Sequence, residues 1–439
     1  MKLGVVGLGH VGLVSAACFA HVGHDVVGVD ARPERIDDLE SGKMPFYEPG
    51  LEKVVAEATS AGRLIFDRDL ANAVRDADAV FICVGTPSLS SGEADLSQVE
   101  GLAVQLARHL GDGHYRVLVE KSTVPVRTGE RIYRTIRRLT DDEFDVASNP
   151  EFLREGSAVH DTLHPDRIVL GSPSPRATEV LERVYQPIVE RSGCETVVTD
   201  VYTAEMIKHA SNAFLATKIS FINAVAELCE AVGADVEVVA KGMGLDPRIG
   251  SGFLRAGIGY GGSCFPKDVA AFAALGERLV GDFDLLRAVQ KINERAPRRL
   301  LDKLRSELWY FNEKRIAVLG LSFKPGTDDM REAPSVRVIR ALLDDGAQVV
   351  AYDPVAVPKA KEILPPEVEF VSAPLDAMED AHAAVILTDW DEIQGLSPDD
   401  FRRTLRFPIV ADGRNLFDPE EMRRAGVTYL SVGRKAVHP

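Results

Sequence analysis

The first thirty residues carry a pattern that few folds can accommodate. A short apolar run from Lys2 to Gly7 precedes helical periodicity from Val11 to Val22, and a second apolar run follows from Asp25 to Val29. Short apolar runs bounded by glycine or charged residues are typical of parallel strands that are buried on both faces. The pattern therefore predicts a strand–helix–strand unit that opens a doubly wound, parallel α/β sheet.

The same pattern returns in the last third of the chain. The run from Lys314 to Leu321 is similar to the first predicted strand, and the run from Gln348 to Asp353 is similar to the second. This repetition predicts two Rossmann-type domains. Further strands of the first sheet are expected at Ala79–Val84, Tyr115–Glu120, Phe144–Ala147 and Arg167–Leu170.

The middle of the chain has a different composition. Tyr202 to Val232 contains neither proline nor glycine, which predicts one helix longer than those of ordinary globular domains. Such a helix is expected to run between domains or to form an oligomer contact, and shorter helices are expected as far as Asn312. We therefore predict a dinucleotide-binding domain at 1–199, a helical dimerisation core at 200–312 and a second Rossmann-like domain at 313–439.

The opening glycines match a dinucleotide-binding fingerprint. Gly7, Gly9 and Gly12 have the spacing G-x-G-x-x-G between a predicted strand and a predicted helix, and Asp30 closes the next strand. Glycines at these positions admit a pyrophosphate to the start of the helix. An aspartate at position 30 would bind the adenosine ribose and repel a 2′-phosphate, which favours NAD over NADP.

Charge and cysteine content narrow the class of protein. The 439 residues carry a formal net charge of -16, which disfavours binding to nucleic acid or to an anionic membrane. The chain has no apolar run of transmembrane length, and its start at Met1 does not resemble a signal peptide. Five scattered cysteines predict reduced thiols, a cytoplasmic location and no structural zinc site.

A glycine-rich run surrounds the cysteine at position 264. Four glycines, the first of them Gly257, precede Cys264, and Lys267 and Asp268 follow within one helical turn. Glycines allow a ligand to approach the main chain, and a neighbouring cation lowers the pKa of a thiol. This setting predicts a nucleophilic thiol, although a free cysteine is often only a small core residue.

Two further runs contain candidate polar groups. In Asn149 to Gly156, Glu151 and Glu155 are spaced to share one face of a helix that would begin at Asn149-Pro150. On the predicted long helix, Glu205, Lys208 and Asn212 are expected to share a face, and the last two could stabilise an oxyanion. The alternative for Glu151 and Glu155 is that they are acids in the first turn of a helix, where they complement the helix dipole. The alternative for the residues of the long helix is a polar stripe that faces solvent.

The second Rossmann copy lacks the glycine triplet. It carries Lys324, an acidic and basic run from Thr327 to Arg331, and the run from Asp412 to Asn415. A lysine and a guanidinium suit a second, phosphate-bearing ligand, although surface charge is an equally good explanation of each.

In this order, the runs resemble the UDP-glucose 6-dehydrogenases of the UDP-glucose/GDP-mannose dehydrogenase family. The resemblance covers essentially the whole chain, and it rests on Gly7–Gly12, Val84–Pro87, Asn149–Ser157, Glu205–Asn212, Gly257–Asp268, Gly320–Arg331 and Asp412–Asn415.

The resemblance implies a four-electron oxidation of a sugar C6 alcohol to a carboxylate, with two NAD consumed. Cys264 would hold the substrate as a thiohemiacetal and then as a thioester. Lys208 and Asn212 would stabilise the oxyanion, with Lys208 also a candidate acid or base. Glu151 would be the general base for hydrolysis, and Thr123 and Asp268 would order water and the lysine.

The resemblance also implies binding residues and a homodimer. Cofactor contacts are expected at the fingerprint positions Gly7, Gly9, Val11 and Gly12, and at Asp30, Arg35, Thr86, Thr123, Glu155, Lys267 and Arg331. Contacts to the nucleotide sugar are expected at Glu151, Phe152, Leu153, Arg154, Glu155, Lys208, Asn212, Phe253, Leu254, Arg255, Ala256, Gly257, Gly261, Lys324 and Arg414. Arg248 is expected to reach into the site of the partner subunit.

Other functions compete with this interpretation. GDP-mannose and UDP-N-acetylmannosamine 6-dehydrogenases share the cysteine chemistry. A two-electron sugar or hydroxy-acid dehydrogenase would need no thiol at position 264. A nucleotide-sugar sensor would have no use for Cys264 and Glu151 together. These alternatives differ in the NADH formed per substrate consumed, which is two, one or none.

Overall fold

The computed structural model describes residues 1–89, 91–281 and 283–439. The chain divides into two compact units, Met1–Ser211 and Asn212–Pro439. The boundary between them falls within a 32-residue helix at Val201–Val232. Among the described residues, no helix is both long enough and apolar enough to cross a bilayer.

The first unit alternates strands and helices. Its strands are β1 (Lys2–Val6), β2 (Asp25–Val29), β3 (Leu64–Asp67), β4 (Ala79–Ile82), β5 (Arg116–Glu120), β6 (Phe144–Ser148), β7 (Arg167–Gly171) and β8 (Glu195–Thr199). Its helices are α1 (His10–His21), α2 (Pro33–Glu40), α3 (Leu51–Ser60), α4 (Leu70–Val74), α5 (Ser97–Ala107), α6 (Thr128–Arg137), α7 (Ala158–Leu163), α8 (Pro175–Ser192) and the first turns of α9 (Val201–Val232).

The eight strands form one sheet in the order β3-β2-β1-β4-β5-β6-β7-β8. Its first six strands are parallel and follow the strand order of a dinucleotide-binding fold. Alternate residues of the central strands enter different cores, so that Phe81 lies in one apolar cluster and Val80 in another. Burial on both faces is the reason that these strands appear in the sequence as continuous apolar runs.

The second unit is helical first and then alternates again. Its helices are the remainder of α9, then α10 (Val236–Gly244), α11 (Phe265–Val280), α12 (Asp284–Leu308), α13 (Pro334–Asp344), α14 (Val357–Ile363), α15 (Pro374–Met378), α16 (Asp391–Gln394), α17 (Pro398–Thr404) and α18 (Pro419–Arg424). Its strands are β9 (Arg315–Leu319), β10 (Gln348–Tyr352), β11 (Glu369–Phe370), β12 (Ala383–Ile386), β13 (Ile409–Asp412) and β14 (Thr428–Ser431).

The second sheet repeats the topology of the first. All of its strands are parallel, in the order β11-β10-β9-β12-β13-β14. The turn after the first strand is also repeated, because Gly320 has a φ of 91° and Gly7 has a φ of 94°. The predicted α/β class, with two Rossmann-type sheets and one long central helix, is confirmed. The three domain boundaries stay a prediction.

One part of the first sheet departs from the parallel arrangement that the sequence predicts. Strand β7 runs antiparallel to β6, and the two meet at a single residue pair, Ser148 opposite Gly171. A parallel return would need a crossover along the length of the sheet. The helix between these strands, α7, has only six residues, and the chain re-enters the sheet in the opposite direction.

The helix predicted to begin at Asn149-Pro150 is wrong. Residues 149–157 contain no helix, and α7 begins only at Ala158. The backbone N–H groups of this segment donate to carboxylates instead of to a helical ladder: Leu153 N–H to Glu151, Arg154 N–H to Asp161 and Gly156 N–H to Glu48. Gly156 also has a φ of 82°, which a helix does not allow.

Candidate active site

The glycines of the first turn have three different environments. Gly7 has a positive φ, and a Cβ there would lie 2.6 Å from the carbonyl oxygen of Cys83. A Cβ at Gly12 would lie 1.8 Å from the oxygen of Gly7, whereas a Cβ at Gly9 would meet nothing within 4 Å. The outer glycines therefore allow the tight turn and the close helix packing, and the space at Gly9 lies open at the start of α1. A pyrophosphate fits such a cradle.

Asp30 lies beside this turn with its carboxylate partly engaged. Its Oδ2 accepts from Leu8 N–H at 2.9 Å, and its Oδ1 accepts from Arg32 N–H at 3.0 Å. Arg35 donates to the Leu8 carbonyl at 2.7 Å. Asp30, which is predicted to bind the ribose, and Arg35, which is predicted to contact the cofactor, therefore both bond to the main chain of Leu8 in the turn. The carboxylate retains acceptor capacity for ribose hydroxyls, because each oxygen can accept more than one bond.

Two more predicted cofactor contacts lie together at the carboxyl edge of the first sheet. The hydroxyl of Thr86 donates to the backbone carbonyl of Thr123 at 2.9 Å. Thr86 follows β4, and Thr123 follows β5. The edge beyond the carboxyl ends of parallel strands is where open α/β sheets bind their ligands.

A buried ion pair joins two of the predicted catalytic residues in the first unit. Lys208 Nζ lies 2.8 Å from Glu151 Oε1 and donates to the Glu151 backbone carbonyl at 2.7 Å. Their side chains are 6% and 5% exposed, respectively. A base and a cation held this close in a poorly solvated place can exchange a proton and can stabilise a developing negative charge.

The other residues of the 151–155 segment surround this pair. The ring of Phe152 lies between two cations, with Arg167 Cζ 3.9 Å and Lys208 Nζ 5.4 Å from its centre. Arg154 forms a two-nitrogen ion pair with Asp161, and Glu155 is buried. Glu151 and Glu155 are therefore both withdrawn from solvent, although no helix presents them on a shared face.

Glu205, which was expected to share a helix face with Lys208, binds backbone groups of a neighbouring helix. Its carboxylate accepts from the backbone N–H groups of Arg127 at 2.6 Å and Gly129 at 2.8 Å, at the start of α6. Burial raises the pKa of Glu205 to about 7. This residue ties the first turns of α9 to the loop that follows Thr123.

Sequence reasoning missed a carboxylate that links the cofactor turn to the 151–158 segment. Glu48 accepts from Gly156 N–H at 2.7 Å and from Ala158 N–H at 2.8 Å, and its Oε2 lies 2.9 Å from Nε2 of His10. His10 is the first residue of α1, beside the glycine turn. The only signal in the sequence is an acid within a loop, which does not indicate such a contact.

Lys121 is a second residue that sequence reasoning did not assign to a contact. It is buried, and its Nζ donates to Asn149 Oδ1 at 2.8 Å and to the Tyr185 hydroxyl at 3.1 Å. Asn149 also donates to the carbonyl of Val169 at 2.9 Å. Lys121 thereby fixes the residue from which the Glu151 segment departs.

In the second unit, Cys264 caps the N-terminus of α11. It is partly exposed, and its Sγ lies 3.5 Å from the hydroxyl of Ser263. The partial positive charge of a helix N-terminus favours a thiolate. By contrast, burial raises the pKa values of Cys18 and Cys83 to about 12, which keeps those thiols protonated.

Asp268 joins two other predicted residues one turn further along α11. It is 1% exposed, and its Oδ2 accepts from Asn212 Nδ2 at 2.6 Å. Its Oδ1 lies 2.8 Å from Lys267 Nζ. One N–H of the Asn212 amide thereby bonds to Asp268, which fixes the orientation of the amide, and its second N–H remains to donate to a ligand.

The predicted substrate segment, 253–257, is partly buried. Leu254 and Ala256 are 5% and 2% exposed and pack in an apolar cluster, so only their backbone groups remain for a ligand. Phe253 has a φ of 63°, a left-handed conformation that is strained for a bulky residue. Arg255 donates to Asp389 at 2.8 Å and to the carbonyl of Arg414 at 3.1 Å.

Arg414 connects the predicted ligand residues of the second Rossmann copy. Its guanidinium donates to the backbone carbonyls of Leu387 at 2.7 Å and Phe323 at 2.8 Å, next to Lys324. Arg331 lies in the same long turn after β9 and pairs with Asp329 at 2.8 Å. The fully buried Asp412 holds the Arg414 N–H at 2.8 Å, and burial raises the pKa of this carboxyl.

Arg248 lies at the surface of the second unit. Its side chain is 88% exposed, and its guanidinium pairs with Asp246 two residues earlier, at 2.6 Å.

The predicted substrate glycines lie against neighbouring main chain. A Cβ at Gly257 would lie 2.7 Å from the carbonyl oxygen of Gly413, and a Cβ at Gly261 would lie 2.4 Å from the carbonyl oxygen of Glu332. The predicted glycine contacts of the second unit are therefore positions where two stretches of main chain approach closely.

Comparisons with known proteins agree with these observations. Models of the UDP-glucose/GDP-mannose dehydrogenase family match the chain in three places: the NAD binding domain at residues 1–189, the central domain at 202–295 and the UDP binding domain at 317–419. UDP-glucose 6-dehydrogenase TuaD of Bacillus subtilis is 46% identical over 438 residues, which cover 99% of this chain and 94% of that protein.

Two solved structures are also similar. A UDP-glucose dehydrogenase from the hyperthermophilic archaeon Pyrobaculum islandicum has a TM-score of 0.92 and 41% identity, with 99% of this chain and 98% of that chain covered. A UDP-D-ManNAc dehydrogenase from Pyrococcus horikoshii has a TM-score of 0.85 and 30% identity, with 99% of both chains covered. The chain therefore belongs to the UDP-glucose/GDP-mannose dehydrogenase family and is an NAD-dependent oxidoreductase.

Proposed function

We propose that this chain oxidises the C6 alcohol of UDP-glucose to the carboxylate of UDP-glucuronate, with two NAD consumed, through a covalent adduct of Cys264. The observation that carries this proposal is the partly exposed thiol at the N-terminus of α11, one turn before the buried Asp268. The activity named for the Bacillus and Pyrobaculum relatives supports the choice of substrate.

The two oxidation steps use NAD, Lys208 and Cys264 in turn. NAD, when bound, accepts a hydride from the sugar carbon in each of the two oxidations. In the first oxidation, Lys208 takes the hydroxyl proton as the C6 alcohol becomes an aldehyde. The Cys264 sulfur then bonds to C6, and the aldehyde oxygen gains a proton to give a thiohemiacetal. Its oxidation releases that proton and leaves a thioester on Cys264.

Hydrolysis completes the cycle. Glu151 takes a proton from the attacking water, whose oxygen bonds to the thioester carbon. The bond between C6 and the Cys264 sulfur breaks, and the sulfur leaves as a thiolate that regains a proton. Lys208 and Asn212 donate to the oxyanion that forms at each addition, and Asp268 orients the Asn212 amide.

The cofactor and nucleotide-sugar contacts implied by the family resemblance form part of this proposal. Asp30 and Arg35 bind the adenosine end of NAD, and Lys324 and Arg414 bind the nucleotide sugar. The second candidate substrate is UDP-N-acetylmannosamine, on the likeness to the Pyrococcus enzyme. The lower identity to that enzyme, 30% against 46% and 41%, favours UDP-glucose.

A homodimer is part of the same proposal. Phe214, Phe221 and Leu228 recur every seven residues along α9 and are 65%, 51% and 67% exposed. An apolar stripe with this period is typical of a helix that packs against another helix. We assign the stripe to a second copy of this chain, with the exposed Arg248 reaching the partner's substrate.

The stoichiometry of NADH tests the reaction. The purified chain is supplied with limiting UDP-glucose and excess NAD, and NADH is measured when the sugar is exhausted. We expect two NADH per UDP-glucose, and no more than one from Cys264→Ala at matched concentration, because only the second oxidation needs the thiol. One NADH per sugar would identify a two-electron dehydrogenase, and none would indicate a binding protein. Parallel assays with UDP-N-acetylmannosamine and GDP-mannose rank the substrates by kcat/KM.

A further inference from the structure

Two buried asparagines hold the backbone of the glycine-rich run before Cys264. Asn223 of α9 accepts from the N–H of Gly257 at 2.8 Å. Asn293 of α12 accepts from the N–H of Tyr260 at 2.8 Å and donates to its carbonyl at 3.0 Å. The asparagines are 5% and 6% exposed. The N–H and the carbonyl of Tyr260 are therefore both bonded to the same side chain, that of Asn293.

The glycines of the run make this arrangement possible. A Cβ at Gly259 would lie 2.4 Å from Oδ1 of Asn293. A Cβ at Gly262 would lie 2.7 Å from the Phe323 ring, and the N–H of Gly262 donates to the Arg331 carbonyl at 2.9 Å. The run thus has several fixed points, of which Asn293 provides the only bidentate one among the described contacts.

The fixed backbone leads directly to the thiol. The Tyr260 ring packs edge-on against Phe265, with ring centres 5.9 Å apart. Phe265 is the first residue of α11 and follows Cys264. A shift of the Tyr260 main chain would therefore move both the chain that enters Cys264 and the ring that packs beside it.

We propose that Asn293 is a positioning residue for the Cys264 thiol, with Asn223 fixing the start of the same run. Asn293 acts through the Tyr260 main chain and touches no reacting atom. The proposal rests on the proposed function only in taking Cys264 as the nucleophile. Its physical basis is that a nucleophile misplaced by about 1 Å can lose about 100-fold in rate, and that side chains at reacting positions depend on a supporting shell of hydrogen bonds.

The test compares full-length variants of α12. Asn293→Ala leaves both Tyr260 groups without their partner. Asn293→Asp keeps the acceptor for the Tyr260 N–H but places a carboxylate oxygen against the Tyr260 carbonyl. This variant is the substitute if Asn293→Ala does not fold. Leu304→Ala is the matched control, because Leu304 is fully buried on the same helix in a cluster that includes Ile258 but neither Tyr260 nor Cys264, so it removes packing and no hydrogen bond of the run. Thermal unfolding midpoints calibrate the loss of stability in each.

Two readouts separate positioning from stability. The first is the rate at which iodoacetamide alkylates Cys264 across pH, measured by peptide mass spectrometry with the partly exposed Cys194 as internal reference. The second is kcat and KM. In both Asn293 variants we expect the pH midpoint of Cys264 alkylation to rise and kcat to fall about tenfold or more, with KM for NAD within about twofold. Leu304→Ala is expected to match wild type in both.

Unchanged alkylation and kcat in the Asn293 variants, or losses no larger than those of Leu304→Ala at equal unfolding midpoint, would overturn the proposal. Alkylation needs no substrate, so it reports on the position of the thiol even if UDP-glucose is not oxidised. If alkylated wild-type enzyme still forms two NADH per sugar, the proposed function fails, while a changed alkylation profile in the variants would still support positioning by Asn293.

Discussion

At the scale of single residues, environment decides which thiol can react. Cys18, Cys83 and Cys229 lie in apolar clusters, and burial raises their pKa values. Cys264 alone caps a helix of more than three turns among the five, and it has polar and glycine neighbours. Its reactivity therefore follows from its position in the fold, since the same residue type in the strands and helices of the cores is inert.

Replacement of the proposed hydrolytic base tests the covalent route. In Glu151→Gln the water loses its general base, so hydrolysis should slow by about 10²- to 10⁴-fold while both oxidations continue. Intact-protein mass spectrometry after mixing with UDP-glucose and NAD should show the thioester on a large fraction of the chains. Cys264→Ala is the control and should carry no adduct. Full turnover to the acid by Cys264→Ala would rule out the covalent route.

The carboxylate at position 30 should set the choice between NAD and NADP. Asp30→Asn keeps the acceptor for the Leu8 N–H but removes the negative charge. We expect kcat/KM for NAD to fall about 10- to 100-fold, the effect of weakening a charged hydrogen bond, and the gap to NADP to narrow. Steady-state kinetics with both cofactors measure this. A wild-type enzyme that uses NADP as well as NAD would contradict the assignment.

At the scale of helices and strands, burial affects how well an element can be predicted from the sequence. Strands such as β1 and β4 could be predicted because both of their faces are apolar. The edge strands β3 and β8 were missed, because both are half-exposed and their apolar runs are short: LIF in β3 and VV in β8. The helix expected from Asn149 failed for another reason: carboxylates far away in sequence, such as Glu48, take its backbone donors, and no local pattern reveals them.

Missed contacts within the site have the same origin. The fingerprint glycines and Cys264 could be recognised because neighbouring residues in the sequence define them. Glu48, Lys121 and Asn293 bond to residues that lie 28 or more positions away, as in the bonds from Asn293 to Tyr260 33 residues earlier. A single sequence does not specify such pairs.

The contact between α9 and α6 should make stability depend on pH. Glu205 has a folded pKa of about 7 against 4.5 for an unperturbed glutamate, because burial disfavours its charge. Between these pH values the folded chain retains a proton that the unfolded chain releases. Stability from this group is therefore present below about pH 4.5 and decreases as pH rises toward 7, by on the order of 3 kcal/mol.

The variant Glu205→Gln isolates this effect. Glutamine cannot titrate, and its cost at the start of α6, one N–H facing an amide donor, does not change with pH. The unfolding midpoint of the variant should therefore improve relative to wild type between pH 5 and pH 7.5. Glu100→Gln, at an exposed position in the first turn of α5, is a control that should show no such trend. Parallel pH profiles for Glu205→Gln and wild type would contradict the shifted pKa.

At the scale of the whole molecule, one fold is used twice with different ligand positions. Asp353 follows β10 as Asp30 follows β2, and it binds the N–H of Leu321 as Asp30 binds that of Leu8. The Asp353 carboxylate, however, also accepts from the Trp390 indole, from Ser322 and from two backbone N–H groups at the start of α14. In the second copy, protein donors therefore occupy the acceptor positions of Asp353 that correspond to those Asp30 keeps for a ribose.

Assembly should decide whether each active site is complete. If Arg248 reaches the substrate of the partner subunit, a dimer of Arg248→Ala and Cys264→Ala subunits contains one site with both residues intact. Random mixing makes half of the dimers hybrid, so activity at low UDP-glucose should recover to about a quarter of wild type, whereas neither parent reaches this level. Kinetics after mixing and subunit exchange, with the dimer followed by sedimentation, measure the recovery.

Two controls define the result. Phe221→Glu places a charge in the exposed stripe of α9 and should give monomers that do not complement, whereas Trp309→Glu, at a side chain that is 83% exposed outside that stripe, should leave the dimer and its activity intact. No recovery in mixtures that exchange subunits would mean that Arg248 serves its own chain or no substrate at all. Full activity in Phe221→Glu monomers would rule out the shared site, because a monomer has no partner arginine, whereas a Phe221→Glu variant that remains a dimer would rule out the stripe as the interface.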